Sequence, residues 1–421
     1  MIALILFLSF ILLMLLGVPV AISIAVSSIS VLIIGNIPLV IVPQRIFAGL
    51  DSFPLIAVPF FILSGDLMAE GKISKLIVEF AETIFGFLRG GLWVISVIAS
   101  AFFAAISGSG AATTAAIGTP LIPELTKRKY DPEFSAALIA SSGGIGVVIP
   151  PSVPMVLYAL ITNTSITRLF LNGFIPGILM AGALISLALI KAKRENYSKG
   201  AKCSLKEIWR TFKKSIWGLM TPLIILGGIF SGYFTPSEAA VIAVDWALFV
   251  SLFIYKDKKP KDIVKIFIKS AITSSLIMFL IGTARVFSWV LANWNIPAMI
   301  TTAVLSISQN KYIILLLIDI ILLIAGVFME TASIIIILTP ILFSLVTKLG
   351  ISPIHFGIIM TIALAIGMAT PPVAINLYVV SSITGYPIER IAKAAVPLLL
   401  ALICVLLIVT YLPLFIPTII F

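Results

Sequence analysis

The sequence predicts an all-α polytopic membrane protein, and two properties support that prediction. Hydrophobic residues fill 61% of the 421 positions and charged residues only 11%, which gives a mean hydropathy of +1.22. Soluble globular chains lie far from these values. Apolar runs as long as a membrane helix needs, about 20 residues, also recur from one end of the chain to the other. Lipid is therefore the expected solvent for most of this protein.

Polar residues and prolines divide the apolar sequence into about ten predicted transmembrane helices. The first five lie at 2–16, 18–42, 52–70, 133–162 and 169–190. The second five lie at 216–231, 237–255, 263–283, 355–383 and 394–419. The first run has no basic residue before it and no small-residue cleavage pattern after it, so we expect a retained span and not a signal peptide.

Four other segments do not fit as ordinary spans. Segment 72–89 has one apolar face, and segment 288–308 carries two tryptophans among asparagines, so both are predicted to be helices in the membrane interface. Segments 91–126 and 312–347 are apolar, too short to cross twice, and split by small or polar residues. Such a break is tolerated only where it is buried or lines a cavity, so these segments predict two re-entrant hairpins.

The basic residues predict how the chain is oriented. Nine of the 28 Lys and Arg lie at 191–214, six lie at 256–269, and three are consecutive at 127–129. Short basic loops mark the cytoplasmic side, and two predicted spans separate each of these stretches from the next. All three therefore lie on one face, and the net charge of +11 indicates membrane orientation and not a nucleic-acid partner.

Three pairs of residues recur at an offset of about half the chain, which indicates an internal repeat. The pairs are Thr119-Pro120 with Thr339-Pro340, Pro150-Pro151 with Pro371-Pro372, and Leu157-Tyr158 with Leu377-Tyr378. The predicted repeats are 1–190, with hairpin 91–126 and broken helix 133–162, and 216–421, with hairpin 312–347 and broken helix 355–383. Segment 191–215 is then a basic cytoplasmic linker. Five crossings in each half make the repeats inverted, as in many secondary transporters.

The first hairpin and the first broken helix carry residues suited to binding a cation. At the tip, 107–110, glycines permit a turn, serines supply oxygens, and the following helix directs its positive end at the tip. In the broken helix, three glycines at 143–146 precede Pro150-Pro151-Ser152, and tandem proline frees carbonyls from the helical ladder. These carbonyls and serine oxygens form a hard-oxygen cage suited to an alkali cation.

The second repeat supplies a matching tip at 329–333 and a matching break at 367–372. We therefore expect two similar sites facing each other at the membrane midplane. The plainer alternative is that these glycines and prolines only kink helices, which membranes tolerate. It explains any one motif well, but it explains four motifs placed twice at one offset poorly.

Ionisable residues at membrane depth are candidates for function. The candidates are Asp66, Glu238, Asp245, Asp319 and Glu330. Glu330, at the second hairpin tip, either caps the next helix or contacts ion or substrate, whereas Asp245 and Glu238 are predicted to make scaffold contacts. Arg285 either pairs with an anionic substrate or extends to the interface.

An intramembrane serine hydrolase is the rival class, because Gly108-Ser109-Gly110 is similar to a nucleophile motif. That chemistry needs a neighbouring base, yet the only histidine, His355, lies at the entrance of a predicted span. A zinc-binding His-Glu-x-x-His motif and a phosphate-binding glycine loop are also absent, and Cys203 and Cys404 occupy unlike settings. We therefore predict neither an enzyme nor an organic cofactor.

Several motifs resemble the large membrane subunit of tripartite ATP-independent periplasmic (TRAP) transporters over essentially the whole chain. They are SGSGAATTAAIGT at 107–119, IPPSVPM at 149–155, FTPSEAA at 234–240, and the Thr-Pro motifs at 339–340 and 370–372. The resemblance implies a multi-pass protein of the prokaryotic inner membrane with an elevator-type two-hairpin architecture. It also implies import of an organic anion, such as a C4-dicarboxylate, sialic acid or sugar acid, driven by a sodium gradient.

The resemblance further implies two protein partners, a periplasmic substrate-binding protein and a small four-helix membrane subunit. Some members fuse that subunit to the N-terminus, but here the motifs begin early, so we expect a separate chain. A stand-alone sodium:dicarboxylate or anion carrier of similar architecture is the alternative, and it would need no binding protein.

By motif position, the resemblance implies two sodium sites and a substrate region. The first sodium site would use Ser107, Ser109, Gly146, Ile149 and Pro151, and the second would use Gly326, Thr331, Gly367, Thr370 and Pro372. The substrate region would include Ser107, Gly108, Ser152, Glu330 and Thr331. The coupling ion itself stays open, because an acidic residue such as Glu330 could instead carry protons.

Overall fold

A computed structural model describes residues 2–200 and 203–415 of the chain. Regular structure in these residues is helical, and the one isolated β-bridge among them joins Arg89 to Lys199. The predicted all-α fold is confirmed. The end of the predicted span 394–419 and two residues of the predicted linker 191–215 lie outside the described residues.

Ten α-helices form the first half of the chain. They are α1 (Ile2–Leu15), α2 (Val20–Ile34), α3 (Ile41–Leu50), α4 (Ala57–Ala69), α5 (Lys72–Phe85), α6 (Gly91–Ser107), α7 (Gly110–Lys127), α8 (Pro132–Gly143), α9 (Val153–Thr162) and α10 (Ile166–Arg194). A 3-10 turn at Phe53–Ile56 leads into α4, and another at Gly144–Val147 follows α8.

Nine α-helices follow in the second half. They are α11 (Leu205–Phe230), α12 (Pro236–Phe249), α13 (Pro260–Asn293), α14 (Ile296–Ile307), α15 (Lys311–Phe328), α16 (Thr331–Lys348), α17 (Pro353–Gly367), α18 (Ile375–Thr384) and α19 (Ile388–Phe415). A π-helical turn at Val250–Ile254 extends α12.

Six of the described helices are long and apolar enough to cross a membrane alone, namely α10, α12 with its π-turn, α13, α15, α16 and α19. The bent pair of α3 with 53–69, which turns by 69°, makes a seventh candidate. Helices α15 and α16 are 18 residues each, or about 27 Å, which is close to the thickness of the hydrocarbon core. Length therefore does not separate a spanning path from a re-entrant one, and the re-entrant hairpins stay a prediction.

Both predicted hairpins form pairs of contacting helices joined by a short turn. Helices α6 and α7 are separated by Gly108 and Ser109, and α15 and α16 by Met329 and Glu330. Both predicted broken helices are also interrupted, between α8 and α9 and between α17 and α18. The tandem prolines lie in these interruptions, and both Pro-Pro bonds are cis.

The two halves pack across each other. The second arm of each hairpin contacts the second part of the other half's broken helix, since α7 packs on α18 and α16 packs on α9. Two hydrogen bonds also join the two broken helices to each other. Tyr158 of α9 donates to the carbonyl of Pro353 at 2.6 Å, and Asn376 of α18 donates to the carbonyl of Ala140 at 3.0 Å. Neither hairpin is held by its own half alone.

Two predicted spans near the N-terminus have wrong bounds. The span at 18–42 ends early, because α2 stops before Asn36, which has a positive φ of 53°, and Pro38 follows. The span at 52–70 begins late, because Phe53–Ile56 is a 3-10 turn and the helix proper starts at Ala57. Residues 41–50, divided between a span and a loop in the prediction, form the separate helix α3.

The predicted boundary between span 263–283 and interfacial segment 288–308 is also wrong. Helix α13 continues to Asn293, because Phe287, Val290 and Leu291 are fully buried and no proline or glycine interrupts 283–293. The basic linker is shorter than 191–215, since α10 runs to Arg194 and α11 begins at Leu205. A capping box between Ser204 and Glu207 starts α11.

Replacing Tyr158 with phenylalanine tests the packing between the halves. Tyr158 is buried and Tyr158→Phe removes the side-chain donor to the Pro353 carbonyl, so we expect a loss of about 0.5–1.5 kcal/mol in unfolding free energy. The measurement is the midpoint of thermal unfolding in detergent. The repeat supplies a matched control, because Tyr378 is 53% exposed and Tyr378→Phe should change the midpoint little. Equal effects of the two changes would contradict this role for Tyr158.

Candidate functional site

The first hairpin tip brings three oxygen atoms together. Gly108, with a φ of 60°, reverses the chain, and Ser109 caps α7 by accepting from the amide of Ala112 at 3.4 Å. Thr113 Oγ1 lies 2.8 Å from Ser107 Oγ and donates to the Ser109 carbonyl at 2.8 Å. Ser107 Oγ also lies 3.3 Å from that carbonyl. The result is a compact triangle of oxygens at the tip.

Glycines let the first broken helix approach this triangle. A Cβ at Gly146 would overlap Thr113 Oγ1 and lie 2.8 Å from the carbonyl oxygen of Ser109. A Cβ at Gly108 would lie 2.7 Å from the carbonyl oxygen of Pro151. The tip and the break therefore meet backbone to backbone, with oxygens from both sides.

Four of the five residues predicted for the first sodium site are brought together here. Ser107, Ser109, Gly146 and Pro151 meet at the tip, as described. The side chain of Ile149 packs against Gly177 of α10, so only the backbone carbonyl of Ile149 could contribute to the predicted site. Thr113 contributes a fully buried hydroxyl that the motif-based set did not contain, although its place in the first turn of α7 was a usable signal.

The residues predicted for the second sodium site are less closely grouped. Gly326 and Gly367 touch through their backbones, so that a Cβ at Gly367 would lie 2.7 Å from Gly326 Cα. Thr370 Oγ1 donates to the backbone carbonyl of Ile366, four residues earlier, at 2.8 Å. Pro372 is exposed, whereas Pro151 is buried. Thr331 is buried and borders the cavity described next.

A cavity of about 340 Å³, here called the tip cavity, lies between the two hairpin tips. Four of the five residues of the predicted substrate region line it, namely Ser107, Gly108, Glu330 and Thr331. Ser152 does not line it. Its hydroxyl is fully buried, donates to the Val147 carbonyl at 2.5 Å and caps α9.

Three helices begin at the tip cavity. The first-turn residues of α7, α9 and α16 all line it, namely Gly110, Ala111, Ala112, Val153, Pro154, Thr331 and Ala332. Each helix N-terminus carries a partial positive charge, although the capping side chains of Ser109, Ser152 and Glu330 accept from some of the first-turn amides. Glu330 caps the N-terminus of α16, because its carboxylate accepts from the amides of Ala332 and Ser333 at 3.1 and 3.4 Å. The glutamate thus both caps the helix and borders the cavity.

The opposite wall of the tip cavity comes from α4 and α13. Asp66 and Lys269 are its charged residues. Lys269 Nζ lies 2.7 Å from Glu70 and 3.6 Å from Asp66, and Ser270 donates to Asp66 at 2.7 Å. The sequence marks Asp66 as a candidate by its depth in a predicted span. It groups Lys269 with the basic stretch 256–269, although Lys269 also lies inside the predicted span 263–283.

A second, larger cavity of about 790 Å³ adjoins the first and shares Asp66, Ala112, Ala115 and Lys269 with it. It extends along α5 and α7 past Lys75 and Pro123. These helices lead to the basic stretch 127–129. The combined space therefore opens toward the face that the basic residues mark as cytoplasmic.

Comparison with known protein families identifies the family of this chain. Residues 7–415 match the family described as the tripartite ATP-independent periplasmic transporter, DctM component. The chain belongs to this family. As a DctM component it is a TRAP transporter large permease subunit, a multi-pass protein of the inner membrane and not an enzyme.

Individual relatives agree with this assignment. The C4-dicarboxylate TRAP transporter large permease protein DctM of Rhodobacter capsulatus is 37% identical, over 98% of this chain and 97% of that one. The isethionate TRAP transporter permease protein DctMQ of Oleidesulfovibrio alaskensis is 39% identical, over 96% of this chain and 64% of that one. The sialic acid permease SiaM of Vibrio cholerae is 36% identical, over 95% and 94%.

Among solved structures, the YdaH transporter of Alcanivorax borkumensis shares the fold. The TM-score is 0.64 and the match covers 88% of each chain, at 14% sequence identity. This DctM chain therefore has the fold of a known membrane transporter.

Gly367→Ala tests the close contact between the second hairpin and the second break. The added Cβ would lie 2.7 Å from Gly326 Cα, so the backbones must separate, and we expect a loss of about 1–3 kcal/mol in unfolding free energy. The measurement is thermal unfolding in detergent. Gly182→Ala is the matched control, since a Cβ at that helical glycine meets nothing within 4 Å. A Gly367→Ala protein as stable as the control would refute the contact.

Proposed function

We propose that this DctM subunit imports an organic anion by an elevator mechanism driven by a sodium gradient. The observation that carries the proposal is the convergence of the N-termini of α7, α9 and α16 on the tip cavity. Three positive helix ends facing one cavity favour a negatively charged occupant. Hydroxyl and amide groups at the tips supply the hydrogen bonds that would orient it.

The substrate class follows from this electrostatics and from the relatives. The three relatives compared above are named for a C4-dicarboxylate, isethionate and sialic acid, and all three compounds are organic anions. The tip cavity, at about 340 Å³, is in the range of small-molecule sites. A small organic anion, such as a carboxylate, is therefore the substrate we propose.

The triangle of Ser107, Ser109 and Thr113 oxygens would hold the coupling ion. Neutral hydroxyls and carbonyls freed by helix breaks are the ligands that secondary transporters use for sodium. Space next to the triangle depends on Gly146, where any side chain would overlap Thr113. The second site, near Thr331 and the Gly326–Gly367 contact, would bind its ion less tightly, because its oxygens are not grouped in the same way.

The proposed elevator motion is supported by the two groups of elements that line the tip cavity. One wall consists of both hairpin tips and both breaks, which pack on each other, and the other consists of α4 and α13. The first wall would move as one body past the second. Because the combined cavities lead to the predicted cytoplasmic face, this conformation would be the inward-open one.

Two partner proteins complete the proposed system, a small membrane subunit and a periplasmic binding protein. The fused name DctMQ of one relative supports a close association with the small subunit. The binding protein would choose the substrate and deliver it.

Uptake into proteoliposomes tests the proposal as a whole. This chain and its small partner subunit are reconstituted with and without the binding protein, and uptake of succinate, N-acetylneuraminate and isethionate is followed under inward sodium or potassium gradients. We expect uptake that needs both sodium and the binding protein. Uptake without the binding protein would identify a stand-alone carrier, and uptake driven by a proton gradient in place of sodium would shift the coupling to groups such as Glu330.

Thr113→Val tests the proposed sodium site directly. Valine keeps the shape of threonine but removes one oxygen of the triangle, so we expect the stabilisation by sodium over potassium, measured as a shift in unfolding temperature, to be lost. Thr119→Val is the matched control on the same helix, because Thr119 is exposed and its hydroxyl bonds only back to Ala115, at 2.7 Å. Sodium-specific stabilisation that survives Thr113→Val would rule out this triangle as the site.

A further inference from the structure

Helix α13 lines two separate cavities on its way through the protein. Its first part, through Lys269, Thr273 and Ile277, walls the tip cavity. Its later part, through Ile281, Arg285 and Ser288, walls a smaller cavity of about 130 Å³ between α9 and α16, here called the Arg285 cavity. By the predicted orientation, the tip cavity leads to the cytoplasmic side and the Arg285 cavity lies toward the periplasmic side.

Each of these cavities has a single basic residue among its described lining residues, and α13 supplies both. Lys269 is that residue in the tip cavity and Arg285 in the Arg285 cavity. The two are joined by a row of residues spaced four apart, which is 269, 273, 277, 281 and 285. Sixteen residues of helix correspond to about 24 Å, and the row winds around α13 by about 40° at each step.

The two cations have different partners. Lys269 is held by Glu70 and Asp66, at 2.7 and 3.6 Å. Arg285 is half-buried and donates to the carbonyl of Leu160 at 3.3 Å, but no carboxylate of the described residues lies within 4.0 Å of its guanidinium. A cation at membrane depth without a counter-ion is costly. Arg285 is therefore the more suitable of the two for pairing with an incoming anion.

The stretch of α13 between the two cations carries no charged residue, and its middle is apolar. Ile277 and Ile281 occupy the middle of the row, and Leu157 of α9 lines both cavities. An anion that moves from one cavity to the other must cross this stretch, where α13 offers no charge. A counter-cation at each end would stabilise the anion on both sides of that barrier.

We propose that α13 supplies the transported anion with two successive counter-cations, Arg285 at the periplasmic end of its path and Lys269 at the cytoplasmic end. This inference rests on the proposed import of an organic anion by movement of the hairpins past α13. Arg285 attracts the anion while the tips face outward. Lys269 receives it when they face inward, and Glu70 and Asp66 pair with Lys269 again once the anion has left.

Charged thiol reagents test the two cations without knowledge of the natural substrate. In a protein with Cys203→Ser and Cys404→Ser, single thiols are introduced by Thr273→Cys beside Lys269 or by Ser288→Cys beside Arg285. The protein is reconstituted with its small partner subunit. The rate of modification is measured with anionic ethylsulfonate and cationic ethyltrimethylammonium methanethiosulfonate, and the ratio of the two rates reports the local charge.

We expect Lys269→Gln to lower the anionic-to-cationic ratio about tenfold at position 273, and Arg285→Gln to do the same at position 288. Lys269→Arg and Arg285→Lys should largely preserve the ratios. Lys265→Gln, one turn earlier on α13 and exposed, is the control for a general loss of positive charge. A ratio unchanged by Arg285→Gln or by Lys269→Gln, or lowered equally by Lys265→Gln, would overturn the proposal.

Transport then separates this inference from the function on which it rests. With whichever anion of the uptake panel the unaltered protein carries, Arg285→Gln should raise the KM for uptake at least about fivefold while Arg285→Lys restores it. Lys269→Gln should instead impair efflux of the same anion from preloaded vesicles. Normal transport by both glutamine variants would refute the two counter-cations alone, whereas no anion uptake by the unaltered protein would refute the proposed function and, with it, this inference.

Discussion

Helices that end in the buried interior of a protein leave backbone groups without helical partners, and the rest of this structure depends on how those groups are satisfied. Each interruption is met by another interruption. Gly108 lies against the carbonyl of Pro151, and the amide of Val373 donates to the carbonyl of Val327 at 3.1 Å. Asn376 joins the two halves through Ala140. Each hairpin tip therefore depends on a broken helix for its packing, and the tip cavity is the space left where they meet.

The contact between hairpin tip and broken helix differs between the two halves. In the first, glycines keep hydroxyl and carbonyl oxygens facing one another around Gly146. In the second, the glycines themselves are in contact at Gly326 and Gly367, and Thr370 turns its hydroxyl back to its own backbone. Similar sequence motifs in the two halves therefore have different chemistry, because a glycine can either leave space beside oxygen atoms or bring two backbones into contact.

Much of this arrangement could be predicted from sequence because it depends on local chemistry. Serine and glycine at 107–110 dictate a turn followed by a capped helix, and tandem prolines at 150–151 and 371–372 dictate an interruption wherever they occur. Ser152 shows the limit of such reasoning. Its side chain has the right chemistry for a ligand, but the direction in which it points is set by the carbonyl of Val147, five residues away in a broken helix.

Properties that depend on a residue's surroundings were harder to predict. Composition places Lys269 with its basic neighbours, and only the packing of α13 on α4 brings it to Asp66. The sequence also fails to predict the full length of α13. Neighbouring helices bury Phe287 and Leu291, and this burial stabilises the helix beyond its polar residues. Hydropathy measures the preference of a single residue for lipid over water. The position of Lys269 and the length of α13 depend instead on tertiary contacts with other helices.

The crossed packing of the hairpins also has a consequence for how the protein is made. As the chain leaves the ribosome, α6 and α7 are synthesised long before α18, the helix on which α7 rests. Until the second half emerges, the face of α7 that packs on α18 has no partner, although the first broken helix already covers the hairpin tip. Membrane insertion of the first half therefore has to precede its final packing, and the protein can reach its working form only after translation is nearly complete.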